Sequence, residues 1–318
     1  MAHKREPQWE NTRKVLVTKG PQKSPARVGR RRVTDGAPAK RKFSLAHLTV
    51  IGLSPPEVTH VAARAGYDYV SLRLIPIGVE GEYECISEDK EMIRRTRLAL
   101  RETGIRMHDL ELARILDDVV PETYLPAMEV AAELGARHVI TSAWTREHTE
   151  REFIIEQYAK ICDLAAPLGL TVDLEFPSFS SLPTLRDATD VVRTANRPNG
   201  GILIDTLYLY FSGVSLDELE RIPPEWFHFM HICDTDAVLP TTLDEMKHVA
   251  RDDRKYFGEG RIDFKSILSR VPFMPFSIEL PNISRTKELG YEEHARRCLQ
   301  TARQYLEGPE TRPTSAVY

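Results

Sequence analysis

The chain has 318 residues and a formal net charge of −4, with 42% hydrophobic and 28% charged residues. This balance is typical of a globular protein, and no run of about 18 apolar residues is available to cross a membrane. The first residues lack the apolar stretch of a secretory signal, so we expect a cytoplasmic protein. The four cysteines form no CxxC pair, which argues against a disulfide framework or a zinc cluster and favours reduced thiols.

The first segment of the chain, residues 1–42, differs from the rest in charge. It holds 13 Lys and Arg against 3 Asp and Glu, a net of +10, whereas the remainder has a net of −14. With its Gly, Pro and Ser content, the segment is expected to form a disordered basic arm. It could bind nucleic acid or an anionic surface, or be a solvated extension. The acidic body argues against a nucleic-acid partner for the catalytic part.

From Phe43 onward, short apolar runs alternate with longer amphipathic stretches. Eight runs are predicted as strands, at residues 44–50, 67–74, 105–113, 136–144, 170–176, 201–209, 226–234 and 275–281. Helical periodicity fills the intervals between them, with recognisable start and stop signals. One helix opens with two prolines and ends at Gly66, and the next is predicted to have Ser87 as its N-cap and to end at Gly104.

Eight strand–helix repeats without a hairpin signal predict parallel strands joined by crossovers. The strand count and the length of the core favour an α/β fold of the (β/α)8 TIM barrel type over residues 43–308, because such barrels take about 250 residues. An open doubly wound sheet is the alternative, but no GxGxxG motif follows the first strand. Residues 309–318 are expected to form a flexible C-terminal tail.

The last four predicted strands each end in a polar residue, namely Glu175, Asp205, His231 and Glu279. In a barrel of this type the active site lies at the carboxyl ends of the strands. Side chains alternate between the two faces of a strand, so these four are expected to face into the barrel while neighbours such as Leu174 and Ile278 face the helices. His228 falls in the opposite phase to His231. We expect it to face the helices and to pair with a hydrogen-bond acceptor.

Three carboxylates that face one small volume repel one another, so they must either take up protons or bind a cation. Together with one imidazole they form a ligand set for a divalent ion such as Mn²⁺, Mg²⁺, Co²⁺ or Zn²⁺. A single acid at a strand end is ordinarily part of a structural salt bridge. Four such residues in consecutive strands, all in phase, predict a metal site.

The ordered Glu–Asp–His–Glu set resembles that of the sugar phosphate isomerase/epimerase superfamily of xylose isomerase-like TIM barrels, over about residues 43–307. His231 and Asp234, spaced as H-x-x-D, and the sequence FGEGRIDF at 257–264 add to the resemblance. It implies that the four residues bind a divalent metal, Mn²⁺ above all. It also implies that Glu175 and Glu279 are the catalytic acid and base.

A metal that bridges a carbonyl and the neighbouring hydroxyl acidifies the C–H group between them and stabilises the enediolate. Two carboxylates on opposite sides of that carbon can remove and return the proton. We therefore predict a metal-dependent isomerase or epimerase of a keto sugar or related polyhydroxy ketone. If hydroxide leaves β to the carbonyl, the enzyme is instead a lyase, a dehydratase of a cyclic polyhydroxy ketone such as inosose or 3-dehydroshikimate.

Two positions depart from the ketose 3-epimerases of this superfamily. Those enzymes carry a histidine where this chain has Tyr208 and a second glutamate where it has Ser181. The departures argue against an ordinary ketohexose substrate. Endonuclease IV, another member, needs additional metal ligands, so DNA repair is not favoured. A barrel that binds a ligand or nucleic acid without catalysis is a third interpretation.

Further side chains near the strand ends are candidates for substrate binding, namely Arg73, His108, Glu111, Arg114, Trp144, Tyr208 and Arg285. An arginine at the barrel mouth could hold a carboxylate or phosphate, but a salt bridge between Glu111 and either Arg73 or Arg114 is an equal alternative. Trp144 could stack on a ring or pack in the core. Asp234 could support His231 or cap the following loop. Homo-oligomerisation stays open.

Overall fold

The computed structural model describes residues 40–148 and 150–307. Within them one parallel sheet contains the strands β1 (Phe43–Leu45), β2 (Tyr69–Arg73), β3 (Arg106–Ile115), β4 (His138–Ala143), β5 (Thr171–Leu174), β6 (Gly200–Ile202), β7 (Ile204–Asp205), β8 (Met230–Ile232) and β9 (Phe276–Ile278). Their order is β6-β5-β4-β3-β2-β1-β9-β8-β7. Neighbouring strands in this order are parallel throughout, as the repeats predicted.

The two edge strands of this order, β6 and β7, are separated by Leu203 alone. The Leu203 N–H donates to the carbonyl of Leu174 at 3.1 Å, which keeps this residue attached to β5. The two short strands are therefore halves of one strand, and the sheet forms a nearly closed eight-stranded barrel. The predicted TIM barrel is confirmed.

The predicted strand at 201–209 is wrong in its second half. Asp205 accepts a hydrogen bond from the backbone N–H of Leu207 at 2.7 Å, and a helix starts at Thr206. An aspartate that satisfies a free N–H of the first turn in this way favours a helix over a continued strand. Tyr208 therefore lies on a helix directly behind the end of β7.

Helices follow most strands and cover the outside of the barrel. They are α1 (Pro55–Ala65), α2 (Lys90–Thr103), α3 (Leu125–Glu133), α4 (Arg151–Ala165), α5 (Leu185–Ala195), α6 (Thr206–Phe211), α7 (Leu243–Asp252), α8 (Phe264–Leu268) and α9 (Ile283–Glu307). α1 ends at Gly66 as predicted, in the left-handed region at φ 91°. The N-cap of α2 is Asp89, which accepts from Met92 N–H at 2.9 Å, and the prediction of Ser87 is wrong.

The apolar residues divide into a large and a small core. The large core lies between strands and helices and includes Leu174 and Ile278, which confirms their predicted outward phase. The small core consists of Leu112, Ile140, Leu203 and Phe229 and fills the inside of the barrel. Polar side chains occupy the barrel interior on either side of this apolar layer.

The described residues include only residues 40–42 of the predicted arm and none of the predicted tail at 309–318. Residues 1–39 and 308–318 lie outside them, so the domain boundaries stay predictions. The Arg41 guanidinium stacks on the ring of Phe276 at 4.0 Å, and Lys42 forms an ion pair with Asp68 at 2.6 Å. All four cysteines are buried free thiols. No helix in the described part of the chain is long and apolar enough to cross a membrane.

Candidate functional site

The structure brings the four predicted ligands together at the carboxyl end of the barrel. Glu175 directly follows β5, Asp205 ends β7, His231 is the middle residue of β8, and Glu279 directly follows β9. One possible ligand atom from each lies within 4.8 Å of the corresponding atoms of the other three. All four residues are buried, between 0% and 7% exposed, so water contributes little to their solvation.

His231 is the least satisfied polar residue of this group. Its Nδ1 atom lies 3.4 Å from a carboxylate oxygen of Glu175 and 3.4 Å from one of Glu279. Within the described residues, neither ring nitrogen of His231 has a hydrogen-bond partner, and neither has Glu175 Oε1. Buried polar atoms are normally paired, because leaving one unpaired costs about 1–3 kcal/mol. Three such atoms among carboxylates fit a bound cation.

A buried arginine completes the group. Arg254 Nη1 lies 2.6 Å from Asp205 Oδ2, and Arg254 Nη2 lies 2.9 Å from Glu279 Oε2. The guanidinium has no exposed surface. Burial acts to lower the pKa of His231, but the two glutamates outweigh it and raise that pKa, and the imidazole would give up its proton on binding a metal. The three carboxylates and the one guanidinium carry a net charge of −2. A divalent cation would neutralise this charge, which a buried site strongly favours.

The carboxylic acids of the group differ in proton affinity. Burial raises the pKa of Glu175 to about 7, and the Glu279 carboxylate adds to the rise although His231 opposes it. Burial also raises the pKa of Asp205. Burial acts in the same direction on Glu279, but His231 and Arg254 outweigh it and hold its pKa below the ordinary range. Neighbouring carboxyl groups with separated proton affinities are typical of acid–base sites.

Sequence reasoning missed Arg254. It follows α7, and its backbone N–H donates to the carbonyl of Pro281 at 3.1 Å, which fixes it beside the end of β9. Its Nε donates to the carbonyl of Ala250 at 2.7 Å, so the side chain turns into the barrel. In the sequence it stands in the charged run RDDRK at 251–255, which is typical of a solvated surface. No local signal separates it from Arg251.

Three aromatic rings form a wall at the same end of the barrel. The Trp144 and Phe179 ring centroids are 5.6 Å apart, and those of Phe179 and Tyr208 are 5.9 Å apart. The Tyr208 hydroxyl lies 3.4 Å from Arg254 Nη2, which connects this wall to the buried acids. Trp144 and Tyr208 were predicted as substrate contacts, and Phe179 was not.

Arg73 and Glu111 form the salt bridge that was the alternative to substrate binding. Arg73 Nη2 lies 2.6 Å from Glu111 Oε2, and Arg73 Nη1 lies 3.5 Å from Glu82 Oε1. The Ser71 hydroxyl donates to Glu111 Oε1 at 2.8 Å. Burial raises the pKa of Glu111 despite Arg73, and Glu279 adds to the rise. The pair therefore borders the four-residue group.

Two other candidates, Arg114 and Arg285, make contacts outside the four-residue group. Arg114 is half-buried, and its Nη1 donates to the carbonyl of Ile77 at 3.4 Å. Arg285 lies at the start of α9, where it pairs with Glu259 at 2.8 Å and stacks on the Tyr256 ring at 4.0 Å. These contacts tie Arg285 to the loop around residue 259, so the structure does not place it over the barrel mouth.

Asp234 caps the loop that follows. Its carboxylate accepts hydrogen bonds from the backbone N–H groups of Gly258, Gly260 and Ile262, at 3.0–3.2 Å. A Cβ atom at position 260 would lie 2.2 Å from Asp234 Oδ1, so the close approach requires glycine there. The loop-capping alternative is therefore confirmed, and none of these contacts involves His231.

His108 was predicted to bind substrate but lies at the amino end of the barrel, opposite the four-residue group. It is near the start of β3, with its Nδ1 3.1 Å from Asp109 Oδ1. Its ring centroid lies 4.8 Å from that of His138, the first residue of β4. The apolar layer of the small core separates this end from the carboxyl end. A substrate bound beside Glu175 cannot contact His108, and this assignment is wrong.

The predicted orientation of His228 is also wrong. Its Nδ1 lies 2.6 Å from Asp173 Oδ1, so the expected acceptor exists. Asp173 stands two residues before Glu175 and therefore shares its inward phase. His228 precedes the first residue of β8, Met230, so strand alternation does not apply to it. It packs at the amino end of the barrel interior and not against the helices.

Comparison with known proteins agrees with this geometry. Residues 60–301 match the family model of the xylose isomerase-like TIM barrel. The chain belongs to this family. The resemblance drawn from the strand ends is thereby confirmed. Membership in the xylose isomerase-like family accounts for the barrel.

Curated relatives and solved structures point the same way. The chain is 27% identical to the inosose isomerase of Bacillus licheniformis over 191 residues, and 26% identical to that of Bacillus subtilis over 187. These matches span 58% and 55% of this chain but only 66% and 63% of the relatives. A structure of the IOLI protein with a bound zinc atom superposes with a TM-score of 0.70 at 21% identity, covering 84% of this chain and 98% of that one.

Sugar epimerases share the fold as well. A D-allulose 3-epimerase from Methylomonas sp., solved with D-allulose, superposes with a TM-score of 0.60 at 18% identity. The superposition covers 84% of this chain and 98% of the epimerase. At this level of identity the likeness concerns the barrel alone.

Proposed function

We propose that the protein is a divalent-metal-dependent isomerase or epimerase of a polyhydroxy ketone. One observation carries the proposal, namely the buried atoms of His231 and Glu175 that have no hydrogen-bond partner within the part of the chain that the structure describes. Such atoms are costly unless a cation binds them. Relatives named inosose isomerase and a neighbour that is a sugar epimerase support the same class of reaction.

Glu175, Asp205, His231 and Glu279 would hold the metal ion. Three carboxylates and one imidazole suit Mn²⁺ first, with Mg²⁺, Co²⁺ and Zn²⁺ as alternatives. A solved neighbour of the same fold contains a bound zinc atom, which supports a divalent ion as the cofactor. When bound, the metal supplies Lewis-acid polarisation of the substrate carbonyl.

The two glutamates move the proton in this proposal. A proton on the carbon next to a ketone must be taken by one carboxylate and returned by a carboxylic acid. Glu175 and Glu279 stand at the ends of different strands, with the His231 ring 3.4 Å from each. Return of the proton to the opposite face gives epimerisation, and return to the adjacent carbon gives isomerisation.

Arg254 acts as a positioning residue. Its ion pairs with Asp205 and Glu279 hold the two carboxylates in place. The Trp144–Phe179–Tyr208 wall offers an apolar face to the C–H side of a sugar or cyclitol. Arg73 and Glu111 present paired charges to substrate hydroxyl groups at the border of the site.

A dehydratase of a carboxylated ring is a second candidate. Burial lowers the pKa of Arg114, and the nearby positive charges of Arg73 and Arg251 lower it further. A cluster of guanidinium groups at the barrel mouth favours a substrate with a carboxylate. In this reaction hydroxide leaves the carbon β to the ketone.

Deuterium exchange distinguishes the two reactions. Metal-stripped protein is reloaded with Mn²⁺, Mg²⁺, Co²⁺ or Zn²⁺ and incubated with inosose, ketohexoses and dehydroshikimate in D₂O. We expect metal-dependent deuterium uptake beside the ketone by NMR, without new ultraviolet absorbance, and its loss in Glu175→Gln. The exposed residue Glu288→Gln is the matched control. Equal turnover by the metal-stripped protein would contradict the proposal, and ultraviolet absorbance from water loss would replace it with the dehydratase.

A further inference from the structure

A second group of possible metal ligands lies at the amino end of the barrel. His138 is the first residue of β4, Asp173 lies within β5, and His228 precedes β8. One ligand atom from each lies within 4.8 Å of those of the other two. The group shares no residue with the four-residue set at the carboxyl end, and its argument does not depend on the proposed function.

Both imidazoles turn Nδ1 toward the same carboxylate. His228 Nδ1 lies 2.6 Å from Asp173 Oδ1, and His138 Nδ1 lies 3.6 Å from Asp173 Oδ2. Ligand atoms around a tetrahedral zinc ion are roughly 3.3 Å apart, given metal–ligand bonds of about 2.0–2.1 Å. The two observed separations lie on either side of this value. Shifts of less than about one ångström would therefore open a coordination site.

The surroundings hold these side chains in place. The Thr171 hydroxyl lies 2.7 Å from His138 Nδ1 and donates to Asp173 Oδ2 at 2.8 Å. Zinc coordination by His138 Nδ1 would replace its hydrogen bond with Thr171, whereas the bond from Thr171 to Asp173 would persist and orient that carboxylate. A Cβ atom at position 201 would lie 2.7 Å from Asp173 Oδ1 and 2.7 Å from His228 Nδ1. Only glycine at this position leaves room for the carboxylate and the imidazole together.

The group is accessible from outside. His138 borders a cavity of about 590 Å³ at the amino end of the barrel. The side chains of His138 and His228 are 14% and 21% exposed, whereas Asp173 is 1% exposed. Burial lowers the pKa of His138 to about 4, so its imidazole is neutral at physiological pH. Burial acts in the same direction on His228, but its hydrogen bond with Asp173 outweighs burial and raises its pKa, so zinc would have to displace a proton there. A neutral imidazole is the form that binds a metal.

We propose that His138, Asp173 and His228 bind a zinc ion at the amino end of the barrel, with a water molecule from the cavity as fourth ligand. Two imidazoles and one carboxylate suit Zn²⁺ better than Mg²⁺ or Ca²⁺, which prefer oxygen ligands. The ion connects β4, β5 and the segment before β8, and so links strands on both sides of the interrupted strand β6–β7.

Counting bound zinc in the full-length protein tests this proposal. Metal-stripped wild type and the double variant Glu175→Gln/Glu279→Gln are dialysed to equilibrium against micromolar zinc, and metal per chain is measured by elemental analysis. We expect one equivalent in the double variant, because the changes disable the carboxyl end only. Adding His228→Gln should remove this equivalent, whereas adding His248→Gln, which changes an exposed histidine, should retain it.

Two outcomes would overturn the proposal. One is a double variant that folds but binds no zinc, which would leave His228 and Asp173 as a simple hydrogen-bonded pair. The other is an equivalent that persists after His228→Gln. If His228→Gln does not fold, His138→Gln makes the same test from a different strand. A missing second equivalent leaves the deuterium-exchange result at the carboxyl end untouched, so the two proposals fail separately.

Discussion

The two ends of the barrel differ in how their histidines are buried and hydrogen-bonded, although the same strands contribute to both ends. At the carboxyl end, His231 is buried with no hydrogen-bond partner for either ring nitrogen among the described residues. At the amino end, His228 is three residues earlier, is partly exposed and has Asp173 at 2.6 Å. Asp173 in β5 and Glu175 directly after it show the same contrast, because Asp173 is paired with His228 and Glu175 Oε1 has no hydrogen-bond partner among the described residues. Position along the strand therefore decides whether a polar group has a hydrogen-bond partner in the protein before any ligand binds.

The two ends of the barrel also differ in the net charge of their side-chain groups. Glu175, Asp205 and Glu279 meet a single guanidinium at the carboxyl end, which leaves an excess of two negative charges. At the amino end one carboxylate, Asp173, faces two imidazoles. Oxygen-rich and imidazole-rich groups select different cations. The comparison thus predicts ions of different kinds and different consequences of removing a ligand.

The largest expected difference is in catalysis. Glu279→Gln keeps the size of the side chain but removes a carboxylate that is proposed to move the substrate proton, so kcat should fall by about 10²–10⁴-fold. His228→Gln at the other end should change kcat by less than about threefold. Steady-state kinetics on the substrate found by deuterium exchange measures both. Equal losses of kcat in the two variants would show that catalysis does not depend on the carboxyl end more than on the amino end.

The next effect concerns stability at the carboxyl end. Arg254→Met removes the cation from two buried carboxylates, Asp205 and Glu279, and should cost about 3–5 kcal/mol of unfolding free energy in metal-free protein. Arg251→Met is the control, because this partly exposed arginine lies over the Phe179 ring at 5.7 Å and should cost less than about 1 kcal/mol. Urea unfolding compares the two. Similar midpoints would show that Arg254 does not compensate the buried acids.

Strand alternation was enough to predict one end of the barrel and not the other. Glu175 and Glu279 directly follow the last paired residues of their strands, so a period of two applies to them. For His228 it does not, because a short 3₁₀ turn occupies Pro224–Trp226 and β8 begins only at Met230. The apolar residues on both sides of His228 give the sequence pattern of a strand, although the backbone does not form a strand there.

Arg254 and Tyr208 show a different limit. Arg254 is surrounded in sequence by charged residues, and its inward orientation depends on the pairing of its backbone with Pro281 and on the hydrogen bond from its Nε to the Ala250 carbonyl. Tyr208 continues an apolar run after Asp205, but the side chain of Asp205 caps a helix and ends the strand. Both depend on contacts between segments distant in sequence or on one local hydrogen bond. The hydrophobic periodicity of the sequence reports neither these distant contacts nor this local hydrogen bond.

Two glycine substitutions, with an expected effect of intermediate size, compare the barrel interior at the amino end with the helical side. Gly201→Ala places a Cβ atom 2.7 Å from Asp173 and His228, whereas Gly200→Ala places one 2.7 Å from the Tyr158 hydroxyl on the helical side. Each should cost about 1–3 kcal/mol of stability, because the barrel is closely packed. Only Gly201→Ala should also remove zinc from the amino end. Equal zinc binding by the two variants would show that space around Asp173 is not needed for the ion.

The smallest expected effect concerns His47. It tests whether burial alone leaves the ring nitrogens of a histidine without hydrogen-bond partners. His47, which follows β1, is 1% exposed, yet its Nε2 lies 2.9 Å from the carbonyl of Leu53 and its Nδ1 accepts from Arg73 N–H at 2.9 Å. Burial, together with the charge of Arg73, lowers the pKa of His47 to about 4. Like His231 it is buried, but both of its ring nitrogens are paired, whereas those of His231 have no hydrogen-bond partner among the described residues.

This pairing makes His47 a source of pH-dependent stability. Between pH 6.5 and 4 the unfolded chain takes up a proton at His47 that the folded chain refuses, so stability falls as the pH falls through this window. From pH 6.5 to 5.5 alone the loss is about 1 kcal/mol. Urea unfolding at both pH values should show a shallower loss in His47→Gln than in wild type, and an unchanged loss in the exposed-site variant His248→Gln. An unchanged slope in His47→Gln would mean that the folded protein tolerates the charged imidazole. The contrast with His231 would then rest on missing hydrogen bonds alone.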